Sequence, residues 1–170
     1  YQPSTGQASC IDADAGYYVP SDGSATQTPC AIGSYQPFTG QSSCIDADAG
    51  YYVDNTSAIS QTPCPHGTYQ PLTGQSSCVD ASAGHYVSTS AATSQTLCPH
   101  GTYQPLTGQS SCVDASAGHY VLTEGSVNQT PCSLGTYNPS TGSSDSADCI
   151  GADAGHYVPL TGSAYQTPCQ

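Results

Sequence analysis

Cys64-Pro-His-Gly67-Thr-Tyr69-Gln-Pro-Leu-Thr-Gly74-Gln-Ser-Ser-Cys78 is followed, three residues on, by Ala81-Ser-Ala-Gly84-His-Tyr86 and then by Gln95, fourteen residues after Ala81. Three residues later Cys98 restarts the cycle. The two stretches are one template written twice: Cys-x-x-Gly-x-Tyr closing on Cys, and Ala-x-x-Gly-x-Tyr closing on Gln. Ala13/Gln27, Ala47/Gln61, Ala115/Gln129 and Ala152/Gln166 carry the second form elsewhere. Each 34-residue repeat is thus two half-repeats of 17 residues. The cysteines at 10, 30, 44, 64, 78, 98, 112, 132, 149 and 169 alternate separations of 20 and 14. One gap of 17, Cys132 to Cys149, carries three inserted residues within Gly142 to Asp148. Self-similarity at a fixed period marks an array whose units bury surface against their neighbours, not one globular core. The approximate repeats are 1–29, 30–63, 64–97, 98–131 and 132–168, with 169–170 opening a further one, in a single array over 1–170.

This register bears on disulfide pairing. Two positions that lose Cys together in alternate halves are expected to be partners in the halves that keep it. That favours Cys30–Cys44, Cys64–Cys78, Cys98–Cys112 and Cys132–Cys149. Each loop would stabilise by roughly 3 kcal/mol in the chain-entropy model. A competing scheme pairs across 20 residues, Cys10–Cys30, Cys44–Cys64 and onward, and uses all ten cysteines. Under the favoured pairing Cys10 and Cys169 are left over. Cys10 closes a half-repeat whose opening Cys would precede Tyr1, and Cys169 opens a new one. Their expected partners are a neighbouring chain, which would join copies end to end, or continuing repeats. Contacts of that kind that do not close produce filaments.

Tyrosine recurs at one register in all ten halves: Tyr1, Tyr18, Tyr35, Tyr52, Tyr69, Tyr86, Tyr103, Tyr120, Tyr137 and Tyr157. These rings are expected to stack along the array against the disulfides and form its core, each apolar face buried and each polar tip wet. A glycine stands two residues before each of the last nine, where positive φ or close backbone approach is needed. Between Tyr and the closing position, Gln36-Pro-Phe-Thr-Gly40, Gln70-Pro-Leu-Thr-Gly74, Gln104-Pro-Leu-Thr-Gly108 and Asn138-Pro-Ser-Thr-Gly142 share Pro-x-Thr-Gly. Pro presets φ at a turn's start and Gly supplies a left-handed residue near its end. The flanking segments predict hairpins with arms of roughly four residues, each touching only its neighbours. Such punctuation excludes stable helices. The fold class expected is all-β: a disulfide-stapled tandem-repeat rod of short β-hairpins.

Composition narrows the function. Net charge is -12, with no Lys or Arg, so nothing neutralises phosphates and nucleic-acid binding is excluded. An anionic membrane surface would repel the chain. No apolar run approaches the ~18 residues of a membrane span, so no membrane insertion is expected in this segment. With Tyr rather than Met first, any export signal is expected to lie outside the segment. Ser and Thr supply 44 residues and Phe38 is the only Phe, too little for a conventional core. Ten cysteines in such a chain point to an oxidising compartment, extracellular or at the cell surface. No Cys-x-x-Cys or Cys-x-x-His spacing supports a metal cluster.

The motif Cys-x-x-Gly-Thr-Tyr-x-x-x-Thr-Gly-x-x-x-Cys resembles the ephrin-receptor-like cysteine-rich repeats of large extracellular proteins. Its 14-residue span is also similar to the first module of tumour necrosis factor receptor cysteine-rich domains. In those families the two cysteines of the span pair with each other, which independently implies Cys64–Cys78 and its equivalents. Those repeats usually continue Cys-x-x-Cys; here the second Cys is replaced by Ala13, Ala47, Ala81, Ala115 or Ala152. Half of the family's staples are therefore absent. The motif specifies no partner-contacting residue, so the resemblance implies no receptor activity.

Other residues carry weaker chemical signals. Asp12-Ala-Asp14-Ala-Gly16 and Asp46-Ala-Asp48-Ala-Gly50 place alternating carboxylates before a glycine, part of a Ca²⁺ loop. The distal bidentate Glu is missing, and later copies read Asp80/Ser82, Asp114/Ser116 and Gly151/Asp153, so solvated turns are expected instead. His66, His85, His100, His119 and His156 share their registers with Tyr or Ile, as surface or packing residues do. No unique nucleophile or pocket stands out, no cofactor is implied, and the chain is expected not to be an enzyme. Asn55-Thr-Ser57 and Asn128-Gln-Thr130 are N-glycosylation sequons; Asn138-Pro-Ser140 is not. Thr28, Thr62, Thr130 and Thr167, each followed by Pro, are candidate O-glycan acceptors. Together these features lead to the expectation of an extracellular structural glycoprotein, a subunit or segment of a fibre, filament or cell-surface stalk. Its expected partners are copies of itself and glycans. The alternative is a ligand-binding ectodomain or adhesin segment recognising protein or carbohydrate.

Overall fold

A computed structural model describes residues 1–170. Contacts divide the chain into two compact units, Tyr1–Val79 with Thr89–Ser94, and Asp80–Ser88 with Gln95–Gln170. The same local rules build both. Positions are numbered 1 to 17 within each half-repeat from its opening Cys or Ala.

Eighteen two-residue strands form nine antiparallel hairpins. In eight of them the repeated Tyr at position 6 faces position 16: Tyr18 with Thr28, Tyr35 with Ile45, Tyr52 with Thr62, Tyr86 with Thr96, Tyr103 with Val113, Tyr120 with Thr130, Tyr137 with Ile150 and Tyr157 with Thr167. Tyr1 and Ile11 exchange the same two hydrogen bonds in the first half, at 2.7 and 2.8 Å. The arms are two residues long, not four. The reason is that backbone groups beyond them are consumed between half-repeats rather than within a hairpin.

That second set of bonds follows a rule. In the first unit, the N–H of the glycine at position 4 donates to the carbonyl at position 7 of the next half: Gly16 to Gln36, Gly33 to Val53 and Gly50 to Gln70, at 2.7 to 2.8 Å. The N–H at position 7 donates to position 12 of the next half, as Gln36 does to Ala58 and Val53 to Gln75. The N–H at position 11 donates back to the carbonyl at position 1 of the preceding half, as Gly40 does to Ala13 and Gly74 to Ala47. The second unit repeats all three, for example Gly101 to Val121, Val121 to Ser143 and Gly142 to Ala115.

Contacts also skip one half. A Cβ on Gly33 would overlap the carbonyl of Gly74, and one on Gly50 that of Ala91. In the second unit Gly84, Gly101 and Gly118 meet Gly125, Gly142 and Gly162 in the same way. All five of these position-4 glycines have positive φ, from 78° to 87°. The expectation that each hairpin touches only its neighbours is therefore corrected: the glycine admits a third layer of backbone. Position 11 needs positive φ as well, and Ser57 (56°) and Ala91 (55°) adopt it without being glycine, at a cost of about 1–2 kcal/mol each.

The core is made of small residues, not stacked tyrosines. Position 1 is buried in both forms: Cys30, Cys64, Cys98 and Cys132 alternate with Ala13, Ala47, Ala81 and Ala115. Position 7 is the other buried site, occupied by Val53, Val87, Val121 and Val158, or by Gln36, Gln70, Gln104 and Asn138. The tyrosines are mostly half-buried; Tyr35 packs on Ala47, Val53 and Ala58 from outside. Wherever layers approach through a glycine, there is no room for a ring between them.

The buried amides are satisfied. Gln36 Nε2 donates to the Ser43 carbonyl at 2.8 Å and its Oε1 accepts from Phe38 N–H at 3.1 Å; Gln70 and Gln104 do the same. Asn138 is one carbon shorter, and its Nδ2 donates instead to Ser143 Oγ at 2.7 Å. The inserted residues form a single 3₁₀ turn, Ser146–Asp148, capped by Asp145, whose Oδ1 accepts from Ala147 N–H. No helix is long and apolar enough to cross a membrane.

Candidate functional site

The features that distinguish one residue from its repeats are few: four disulfides, the glutamines that stand in their place, two cysteines without partners, and the exposed glycan acceptors. The disulfides join Cys30–Cys44, Cys64–Cys78 and Cys98–Cys112, each with Cα atoms 5.8 Å apart, and Cys132–Cys149 at 5.6 Å. The structure thus pairs across 14 or 17 residues, not across 20. Each bond ties position 1 to position 15 and closes one half-repeat.

In the alternate halves the same two positions are Ala and Gln, and the closure is non-covalent. Gln27 Oε1 accepts from Asp14 N–H at 2.7 Å while its Nε2 donates to Asp14 Oδ2 at 2.6 Å. Gln61 holds Asp48, and Gln166 holds Asp153, in the same two-point clasp. Gln95 and Gln129 accept from Ser82 and Ser116 N–H at 2.7 Å. Position 2 therefore tolerates Asp or Ser because either can serve the clasp. The pairing of Ala13 with Gln27 and its equivalents was visible in the sequence; the role of the glutamine as a substitute staple was not.

This gives Asp14 and Asp48 a structural task. Asp12 and Asp46 lie elsewhere, their carboxyl carbons 3.4 and 3.5 Å from where a Cβ on Gly40 and Gly74 would stand. The alternating carboxylates thus serve two different packing contacts. No group of three or more His, Cys, Asp or Glu is arranged to hold a metal ion. Among the histidines, His100 Nδ1 contacts the Leu122 carbonyl at 2.6 Å and its Nε2 lies 3.8 Å from Glu124. Both side chains are more than half exposed, so the pair adds little to stability.

Cys10 and Cys169 are exposed and unpaired. Cys10 lies on the wall of a cavity of about 450 Å³, shared with Tyr1, Ile11, Asp12, Ala13 and Gly40. Asn55 and Asn128 are exposed. Asn55 sits in the turn that carries the left-handed Ser57. Asn128 directly precedes the clasp residue Gln129. Thr28, Thr62 and Thr130 are exposed in strands, and Thr167 is half-buried.

Residues 50–98 and 96–132 match the family model described as tyrosine-protein kinase ephrin type A/B receptor-like. These two adjacent matches, with the four disulfides, fit a cysteine-rich repeat of ephrin-receptor-like type. No curated protein matches it. Ephrin-receptor-like repeats with this disulfide content fit an extracellular, disulfide-rich module.

Proposed function

We propose that this chain is a structural glycoprotein segment of an extracellular fibre or cell-surface stalk, without catalytic activity, that joins copies of itself end to end. One observation carries the reading: the half-repeats from Ala13 to Gln166 are closed one after another at positions 1 and 15, by a disulfide or a glutamine clasp, so the array is built alike along its length, and the exposed Cys10 (position 15) and Cys169 (position 1) match in kind a neighbouring copy or continuing repeats. A position-1 cysteine and a position-15 cysteine are what each internal disulfide joins. The uniform build of the halves supports a mechanical task over chemistry at one place. Exposed Asn55, Asn128, Thr28, Thr62 and Thr130 offer attachment points for sugars that would hydrate a surface with few charges.

The test is electrophoresis of native material with and without reductant, with intact mass after reduction. A ladder that collapses to one species of 17.2 kDa plus any sugar supports the reading. One small band in both lanes overturns it.

A second reading, a binding ectodomain or adhesin segment, draws on one register. Phe38, Leu72 and Leu106 at position 9 are 61 to 66% exposed and offer apolar contact to a protein or sugar. Replacing all three with Ser would abolish such binding and leave end-to-end assembly intact.

A further inference from the structure

The half-repeat from Cys132 departs from the other three disulfide-closed halves at four places, and all four meet at one cleft. Position 7 is Gln36, Gln70 or Gln104 elsewhere and Asn138 here. Position 9 is Phe38, Leu72 or Leu106 elsewhere and Ser140 here. Position 12 is Gln41, Gln75 or Gln109 elsewhere and Ser143 here. The inserted residues come next and form the 3₁₀ turn Ser146–Asp148. Each substitution shortens a side chain, and the insertion adds Ala147 and Asp148 to the wall beside the space they leave. The cleft has a volume of about 460 Å³, within the range of roughly 300–1,000 Å³ typical of small-molecule sites. Clasped halves from Ala115 and Ala152 stand on either side, so the cleft lies inside the array. Ile150 on its rim is 48% exposed, against 46% for Val79 and Val113 at the same register, so its exposure belongs to the repeat.

The floor is polar and already fixed. Asn138 and Ser143 are buried, and Asn138 Nδ2 donates to Ser143 Oγ at 2.7 Å. Asn138 Oδ1 accepts from Ser140 N–H at 3.0 Å. Ser143 Oγ is thus used as an acceptor and keeps its own proton to donate. On the walls, the hydroxyls of Ser140, Thr141 and Ser144 are exposed and make no hydrogen bond within the protein. The carbonyls of Thr39, Thr73 and Thr107 accept from the position-12 glutamine at 2.9 to 3.0 Å; with Ser143 at that position, the Thr141 carbonyl has lost this donor. Asp148 Oδ2 accepts from Asp145 N–H at 3.2 Å, which leaves Oδ1 open. Pro139, Ala147 and Ile150 add apolar surface.

These groups select a ligand class. With no Lys or Arg in the chain, an anionic ligand finds no counter-charge. No set of three metal-ligating side chains is present. What the cleft offers is hydroxyls that both donate and accept, two open acceptors and an apolar flank. A sugar ring presents the complement, hydroxyls along its edge and C–H groups on its face. We infer that this cleft binds a neutral hexopyranose unit. Two adjacent sugar hydroxyls donate to Asp148 Oδ1 and the Thr141 carbonyl, a third accepts from Ser143, and the C–H face lies on Ile150. The inference deepens the carbohydrate arm of the second reading, rests on that reading, and leaves end-to-end assembly untouched.

The test uses the oxidised full chain, labelled with ¹⁵N, and titrates the methyl pyranosides of glucose, galactose and mannose to about 50 mM, enough to register millimolar affinity. Saturable amide shifts confined to residues 138–150 are expected with at least one of the three. Ser140→Leu with Ser143→Gln restores the residue types that other halves carry, and should abolish the shifts with thermal unfolding unchanged. Asp148→Asn keeps an acceptor for Asp145 N–H and should weaken binding about tenfold, the loss of a charge-assisted hydrogen bond. No shift with any pyranoside overturns the inference, as do shifts that survive Ser140→Leu with Ser143→Gln. A response to ethylammonium alone overturns it too, making the cleft a cation site. Shifts at Phe38, Leu72 and Leu106 instead would overturn this site while the binding reading stands. The sugar could be free or carried on a glycan of a second copy. Glycosylated chain that dissociates in sedimentation on adding the pyranoside identifies the copy as its source; unchanged sedimentation with the shifts retained identifies a sugar from elsewhere, and both uphold the cleft.

Discussion

The half-repeat from Cys30 and the half-repeat from Ala47 are neighbours with the same backbone, closed by different chemistry. The first is tied by the Cys30–Cys44 bond. The second is tied by two hydrogen bonds between Gln61 and Asp48, each 2.7 Å. Both place Tyr at position 6 opposite position 16, and both bury position 1 completely. The difference teaches that the staple does not create the fold of a half-repeat. The shape comes from positive-φ glycines and from hydrogen bonds between halves; the staple sets how firmly the loop is held.

That comparison can be broken at the glycines. Gly33→Ala in the covalent half and Gly50→Ala in the clasped half should each cost at least about 4 kcal/mol, because the new Cβ overlaps a carbonyl at a left-handed position. Urea unfolding followed by circular dichroism measures both. A large cost in one half and a small one in the other would show that the halves do not share a backbone determinant.

Removing a staple should matter less. Cys98→Ala with Cys112→Ala is expected to cost about 3 kcal/mol, from the closed loop of 14-residue separation. The converse, Ala47→Cys with Gln61→Cys, should form a bond detectable as the loss of two thiols, and should add up to about 3 kcal/mol. Failure of that bond to form would mean that clasped halves differ in geometry at positions 1 and 15.

The clasp itself should be weaker again. Gln61→Ala removes both hydrogen bonds at an exposed loop and should cost about 1 kcal/mol. Hydrogen exchange at the Asp48 amide should speed up before any global change. Smallest is a gain: Ser57→Gly and Ala91→Gly relieve left-handed strain and should each stabilise by up to about 1 kcal/mol in the melting curve. Ser57→Gly also removes the hydroxyl residue of the Asn55 sequon, so on glycosylated material Ala91→Gly is the cleaner measurement.

The sequence carried the periodic part of this picture. The spacing of Cys64, Cys78, Ala81 and Gln95 exposed the half-repeat, and the shared loss of two cysteines indicated which ones pair. The hairpins followed from Pro-x-Thr-Gly. What sequence reasoning missed depends on contacts between halves. The two-residue arms and the glycine-admitted third layer arise from backbone bonds that leave no residue-type signature beyond a glycine. Tyr was misplaced in the core because its size suggests burial, whereas the close layers admit only Ala, Cys, Val or a folded Gln at positions 1 and 7. At the candidate site, the exposed Cys10 and Cys169 were legible by elimination. The task of Asp14 and Asp48 was not, because a clasp looks like a solvated acidic turn until Gln27 and Gln61 are seen against it.

Strands only two residues long have a further consequence. A long bare strand edge is a template on which other chains add, and extracellular proteins at high density must suppress it. Here each hairpin ends almost as soon as it begins, and the backbone groups that would extend it are turned toward the adjacent half. A β-rich chain without charged lysine gatekeepers can thereby stay free of amyloid-type recruitment, because it offers nothing long enough to copy.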